Sequence, residues 1–205
     1  YTDSELTKDI KYILIKLNYK KPIFCDVGAY RGKWISKYLR SFPNLIAYLI
    51  EPHEKSYLYL KEKFKNNENI KLFKIGLSNS TEIKKVNINA KSYTNSFLEF
   101  DKDASKSWKY EKFENLYKEE VRIEKLTDFV KENNISKINV LKLDVQGYEY
   151  KVLKGAENLL KDNLIDIILL EVITIPTYKN QSKINQIFNI LDSYKYSLYG
   201  IYDME

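Results

Sequence analysis

Apolar positions recur along the chain with two different periods, and their alternation predicts the architecture. Leu6, Ile10, Ile13, Leu14 and Leu17 fall three and four apart, which places an amphipathic helix over residues 3–18, before Pro22. The run PIFCDV at 22–27 then reads as a short buried strand. A glycine-bearing turn follows it, and then a helix whose inner face is Ile35, Leu39 and Phe42. The unit repeats. LIAYLI at 45–50 precedes a helix carrying Tyr57, Leu60 and Phe64, and IKLFKI at 70–75 follows. Later, INVLKL at 138–143 leads into one helix with Val152, Leu153, Ala156, Leu159 and Leu160. DIILLEV at 166–172 precedes a last helix with Ile184, Ile187, Phe188 and Leu191. Alternating strands and helices of this kind predict an α/β fold: a mostly parallel sheet in the order 3-2-1-4-5, with helices on both faces. A further strand around Tyr196–Tyr202 is expected to extend it.

Between the two halves the pattern changes. Ile83–Ile88 and Val121–Leu126 look like strands, and residues 89–118 are polar without clear periodicity. That stretch holds Tyr93, Phe97, Phe100, Trp108, Tyr110 and Phe113, and its aromatic content favours a lid-like insertion over a disordered segment.

Composition narrows the picture. At 205 residues and 44% hydrophobic, residues 1–205 are expected to form a single domain with a substantial core. The lone Cys25 excludes an internal disulfide and a cysteine-based zinc site, which fits a cytoplasmic setting. No apolar stretch approaches the roughly 20 residues needed to span a bilayer. A chain that opens on YTDSELTKD without Met points to trimming. The net charge of +6 raises the question of a nucleic-acid partner. Lysines, however, are scattered among acids, and arginine appears only at Arg31, Arg40 and Arg122, so a solvated surface is the favoured reading.

In an open parallel sheet, ligands bind beyond the carboxyl ends of the strands. The predicted ends carry Asp26, Glu51, Gly76–Ser78, Asp144 and Glu171, so four carboxylates converge on one edge. Each alone is also an ordinary strand end or helix cap. The first turn, DVGAYRG, spaces Gly28 and Gly32 as GxxxG, which is not the GxGxxG of a pyrophosphate-binding turn. Gly28 would let the backbone approach a ligand closely. An acid after the second strand, Glu51, is suited to both hydroxyls of a ribose. Together these point to a nucleoside ligand without a pyrophosphate, such as S-adenosylmethionine.

DVGAYRG, IEPHEKSYLYLKE, IGLSNS and especially LKLDVQGYEYKVLKGAENLL resemble the FkbM-type branch of the class I methyltransferases, from about Pro22 to about Tyr202. The resemblance implies a Rossmann-like class I methyltransferase fold and S-adenosylmethionine as cofactor. It implies that Asp26, Gly28 and Tyr30 hold the methionine part, that Glu51 holds the ribose, and that Leu77 and Ser78 lie by the adenine. It also implies O-methylation of a sugar, glycan or other small acceptor. Asp144 is then the candidate to orient cofactor or acceptor, with Glu171 or Glu149 as base. Two departures stand out. The usual DxEGxE reads DVQGYE, with Gln146 in place of a carboxylate, and the chain stops at YGIYDME where the family's sheet usually ends in an antiparallel hairpin.

Asp144 and Glu171 are oxygen ligands suited to Mg²⁺, but Gln146 weakens the charge of such a site, so a divalent metal is not favoured and no metal ligand is assigned. SYTNS at 92–96 resembles the family's small polar acceptor loop, which makes Asn95 and Ser96 substrate-binding candidates together with Tyr148; ordinary turn chemistry is the alternative. His53, the sole histidine, reads as a helix-start or cofactor-side residue ahead of a general base. Three rivals remain. A nucleic-acid methyltransferase lacks an Asn/Asp-Pro-Pro-aromatic motif and an exposed nucleophilic cysteine. A cofactor-binding fold that has lost catalysis and serves as a partner subunit is suggested by Gln146 and the short C-terminus, and a nicotinamide oxidoreductase is weakened by the missing GxGxxG.

Overall fold

The computed structural model describes residues 4–108 and 113–203. Helix α1 (Glu5–Lys16) starts at Ser4, whose side chain accepts from Thr7 N, and buries Thr7, Ile10 and Leu14, while Leu17 is left exposed beyond its end. Strand β1 (Ile23–Val27) is followed by α2 (Lys33–Leu39), β2 (Ile46–Ile50), α3 (Glu54–Lys63) and β3 (Ile70–Phe73). Strand β4 (Gly76–Ser78) and β5 (Glu82–Asn89) come next, then α4 (Ala104–Ser107), β6 (Asn115–Lys125) and α5 (Leu126–Glu132). The chain closes with β7 (Ile138–Leu143), α6 (Glu149–Lys154), α7 (Glu157–Lys161), β8 (Ile165–Leu170) and α8 (Ile184–Ser193).

The central sheet is parallel throughout, in the order β3-β2-β1-β7-β8. This is the order predicted from the strand–helix repeat. Both faces are covered. Ile10, Leu14, Ile35, Tyr38, Leu60 and Phe64 from α1 to α3 pack on one face, and Leu126, Phe129, Val152, Leu153, Leu160 and Ile187 from α5 to α8 pack on the other. Burial on both sides is why these strands read as continuous apolar runs. Among the described residues no helix is long and apolar enough to cross a membrane.

Three features differ from the sequence expectation. Gly76–Ser78 forms β4 of a second sheet, β4-β6-β5, in which β5 and β6 are an antiparallel hairpin and β4 runs parallel to β6. The strand β6 begins at Asn115, so the end of the expected insertion belongs to this sheet; Tyr110, within the insertion, lies outside the described residues, as does the first position of the expected helix 3–18.

The single helix expected after β7 is interrupted at Gly155. A Cβ there would sit 1.9 Å from the Ser78 carbonyl oxygen, and the Gly155 carbonyl accepts from Thr127 N at 3.1 Å, so a close approach of three elements replaces helical continuity. Finally, Tyr196–Tyr202 is not a strand. Lys195 takes a left-handed turn at φ 64°, and the tail is then tied down by hydroxyls: Tyr196 donates to Ile165 O and Tyr202 to Asp9. Residues 197–201 are exposed and make no ladder on β8.

Candidate functional site

Continuation of the strand ladders brings the expected edge residues together. Gly28 N donates to Ile50 O at 3.0 Å, Glu51 N to Phe73 O at 3.0 Å, Asp144 N to Val27 O at 3.0 Å and Glu171 N to Leu143 O at 3.0 Å. A cleft of about 210 Å³ opens at this carboxyl edge. Gly28, Tyr30, Glu51, Pro52, Asp144 and Glu171 line its sheet side, and Ser92, Asn95, Ser96 and Phe97 of the insertion line the other.

The floor holds a buried charge cluster that the apolar run of its strand conceals. Lys142 is the direct partner of Asp26 in the β1–β7 register, and its ammonium donates to Asp26 Oδ1 at 3.2 Å and to Asp144 Oδ2 at 3.1 Å. Burial works against the Lys142 charge, but the two carboxylates more than offset it and hold its pKa above the ordinary value. The Asp26 pKa is raised as well, which for an acid disfavours the charge: burial pushes it up, and Lys142 pulls it down only in part. The asymmetry has a structural cause, because Lys142 faces two carboxylates whereas Asp26 is fully buried and its Oδ2 has no partner. The signal was present in INVLKL, since a lysine in a central parallel strand must be paired.

Above Lys142, Gln146 bridges two carboxylates. Its amide nitrogen donates to Asp144 Oδ1 at 2.9 Å and to Glu171 Oε2 at 2.6 Å, and the Tyr178 hydroxyl donates toward its Oε1 at 3.1 Å. Gln146 has φ 53°, and Tyr30, across the cleft, has φ 49°. Bulky residues rarely adopt this left-handed conformation, and here two such residues line one cleft. Asp144 and Glu171 are driven apart in acidity. Burial opposes ionisation of Asp144, but Lys142 and the Gln146 hydrogen bond outweigh it and hold its pKa below the usual range. Glu171 is raised, first by desolvation and then by the charge of Asp144, although its side chain stays open to the cleft.

Glu51 clasps two loops. Its Oε2 accepts from Tyr30 N at 2.8 Å and its Oε1 from His53 N at 3.0 Å, and burial pushes its pKa up to about 7. Each oxygen keeps a second lone pair, so the carboxyl remains able to accept from a ligand diol. Tyr30 joins the wall to the insertion, its hydroxyl lying 3.0 Å from Ser92 Oγ. Ser96 Oγ donates to Gln146 O at 2.8 Å, and Asn95 Oδ1 accepts from Asn89 N at 2.9 Å.

Of the expected site residues, Gly28, Tyr30, Glu51, Asp144, Glu171, Asn95 and Ser96 line the cleft; Asp26, Leu77, Ser78, Tyr148 and Glu149 do not. Leu77 and Ser78 are buried in the second sheet, and Tyr148 packs there too, its hydroxyl 3.3 Å from Ser78 Oγ. Glu149 is buried and its Oε1 accepts from Val145 N and Gly147 N, both at 3.2 Å, so it fixes the DVQG loop from behind. At Gly28 the structure also shows a close approach within the protein: a Cβ there would lie 1.9 Å from the Asp144 carbonyl oxygen, so at φ 78° it packs the first turn against the end of β7. His53 caps the start of α3 and its Nδ1 lies 3.1 Å from Glu119 Oε2. Tyr178, in the loop after β8, gave no periodic signal and reached the site through the insertion, by its bridge to Phe100. Among the described residues no three His, Cys, Asp or Glu are grouped to hold a metal ion.

No curated protein matches the chain. Among solved structures it is similar to a precorrin-6y C5,15-methyltransferase from Geobacter metallireducens GS-15, at 9% identity and a TM-score of 0.49, covering 96% of this chain and 74% of that one. The model of the FkbM methyltransferase domain matches residues 26–198, which takes in every strand of the central sheet from the end of β1 onward and all the cleft residues, and the chain therefore belongs to the FkbM methyltransferase family.

Proposed function

We propose that this protein is an S-adenosylmethionine-dependent O-methyltransferase whose acceptor is a hydroxyl of a sugar or glycan-related small molecule. The observation that carries the reading is the Asp144–Gln146–Glu171 cluster on one wall of a cleft whose opposite corner presents the Glu51 carboxyl. When bound, S-adenosylmethionine supplies a methyl carbon already activated by a sulfonium. Glu51 is the residue that would hold the ribose, beside Gly28 and Tyr30. What the chain must then provide is alignment of the acceptor oxygen and a place for one proton.

Glu171 suits the proton. Its raised pKa brings it toward neutrality, where a general base works best, and it is reached from the open side of the cleft. Asp144 stays ionised and orients: Lys142 and Gln146 fix its two oxygens. Two carboxyl groups in one site with acidities driven apart is the pattern expected of an orienting anion beside a base. Tyr93 and Phe97 of the insertion add aromatic faces that suit the C–H surfaces of a sugar.

The test is turnover of S-adenosylmethionine with a panel of sugar and glycan acceptors, with Asp144→Asn and Glu171→Gln beside the parent. Both variants should remain folded and lose at least about tenfold in turnover. Methyl found on nitrogen or nucleic acid overturns the assignment, as does an Asp144→Asn variant of undiminished rate.

A further inference from the structure

Beyond Tyr30, the cleft wall continues into a basic face that the proposed reaction leaves unused. The Arg31 guanidinium carbon lies 5.3 Å from the centre of the Tyr30 ring and 5.6 Å from that of Tyr59, so two rings set its position. Its five N–H groups have no protein partner among the described residues, and it is exposed. Lys63 is pinned beside it by hydrogen bonds from its ammonium to Arg31 O at 2.9 Å and Gly32 O at 3.1 Å. Burial lowers the Lys63 pKa and the charge of Lys33 lowers it further, the sign of cations held together. On α3, Lys55, Tyr59 and Lys63 fall four apart and so share one side of the helix. The acids on that helix are engaged elsewhere, Glu54 with Lys74 and Glu62 with Lys65. No carboxylate among the described residues pairs with Arg31, Lys33, Lys55 or Lys63.

Clustered like charges repel one another, and a guanidinium positioned by two neighbouring rings with its donors unspent is ready to offer its fork to an anion. S-adenosylmethionine carries net positive charge and a single carboxylate, which would engage at most one of these four cations, so the face as a whole is left to the acceptor. We propose that Arg31, backed by Lys33, Lys55 and Lys63, binds a phosphate or diphosphate group of the methyl acceptor, making that acceptor a phosphorylated sugar. The proposal deepens the methyl-transfer reading and rests on it for the identity of the ligand's other half. Lys55 and Lys63 are eight residue steps apart on the helix, about 12 Å, which matches one or two phosphates with a sugar reaching past Tyr30 into the cleft and is short for a nucleic-acid track.

Calorimetric titration of the whole chain with inorganic pyrophosphate, glucose 1-phosphate and uridine diphosphate glucose tests this, with S-adenosylmethionine titrated in parallel. The phosphorylated probes should bind more weakly as salt is raised. Arg31→Gln, and separately the pair Lys33→Gln and Lys55→Gln, should weaken them by about tenfold or more while the cofactor titration is unchanged. Preference for uridine diphosphate glucose over glucose 1-phosphate assigns a nucleotide-linked acceptor, and the reverse a simple sugar phosphate. Cofactor binding without any phosphate binding overturns the proposal and leaves methyl transfer standing. Phosphate binding indifferent to Arg31 also overturns it, as does Arg31-dependent binding of a single-stranded RNA oligonucleotide alone. If the phosphorylated probes bind through Arg31 and S-adenosylmethionine does not bind, the anion site stands and the methyl-transfer reading falls.

Discussion

Asp26 Oδ1 lies 3.2 Å from Lys142 Nζ, and the two residues face each other directly in the parallel register of β1 and β7. The pair is buried beneath the cleft, so removing one member strands the other in a medium that solvates it poorly. Lys142→Met should cost about 3–5 kcal/mol, because Asp26 is then a buried charge without a partner. Adding Asp26→Asn should restore part of that loss, since the fully buried charge is removed and only Asp144, at the cleft, still lacks its Lys142 partner. Denaturant unfolding of the two single variants and the double variant measures the coupling. A Lys142→Met variant as stable as the parent would remove the pair from the account of the fold.

Gln146 controls the acidity of its neighbours. As a neutral donor it stabilises the ionised form of Asp144 without adding charge. Gln146→Glu, which introduces the carboxylate usual in the family, puts a third negative charge beside Asp144 and Glu171 and takes away both donated hydrogen bonds. Each change raises the pKa of the remaining acids. The rising limb of the pH–rate profile should therefore move to higher pH in this variant. A profile that stays in place would mean that Glu171 is not the titrating base.

The central sheet was legible because its strands are buried on both faces, and LIAYLI or INVLKL admits few other readings. The second sheet was not. Its strand β4 is only GLS, and the hydrogen bonds that make it a strand come from Ile123–Lys125, far along the chain. The site divided along the same line. Glu51, Asp144 and Glu171 follow from the rule that strands end at the ligand edge. The inward turn of Glu149 and Tyr148 depends on loop and second-sheet packing that no periodicity encodes. Lys142 was legible in principle, as the one charged residue in its strand, and was hidden by reading the run as apolar.

Glu149 also makes stability depend on pH in an unusual direction. Burial pushes its pKa up from 4.5 to about 7, with the amides of Val145 and Gly147 opposing only in part. The folded chain then holds this proton more tightly than the unfolded chain. Its contribution is fully present below about pH 4.5 and is lost as pH rises through about 7. Glu149→Gln keeps an acceptor for the two amides and removes the titration, so the melting temperature should vary less with pH across that window. Glu149→Ala orphans both amides and should cost about 1–3 kcal/mol at every pH. Melting curves from pH 4.5 to 8 distinguish the two, and an unchanged slope in Glu149→Gln would locate the proton elsewhere.

Glu51 carries the same kind of shift, and in the proposed role it must couple to the cofactor. Its carboxyl is raised to about 7 by burial, and the amides of His53 and Tyr30 already occupy one lone pair on each oxygen. Two ribose hydroxyls donating to the remaining lone pairs favour the ionised form, so binding lowers this pKa and expels a proton when the free protein is still partly protonated. Affinity for S-adenosylmethionine should therefore rise as pH increases through about 7 and then level off. Titrations at pH 7 in two buffers of different ionisation enthalpy should give different heats, with the sign of proton release. Glu51→Gln has no proton to lose and only one acceptor oxygen. It should bind without buffer dependence and more weakly by about 1.5–3 kcal/mol. Its melting temperature, read alongside, separates loss of the ribose contact from loosening of the loops at Tyr30 and His53. If the parent protein binds with equal affinity at pH 6 and pH 8 and with buffer-independent heats, the ribose is held by some other group and Glu51 serves only to join the two loops.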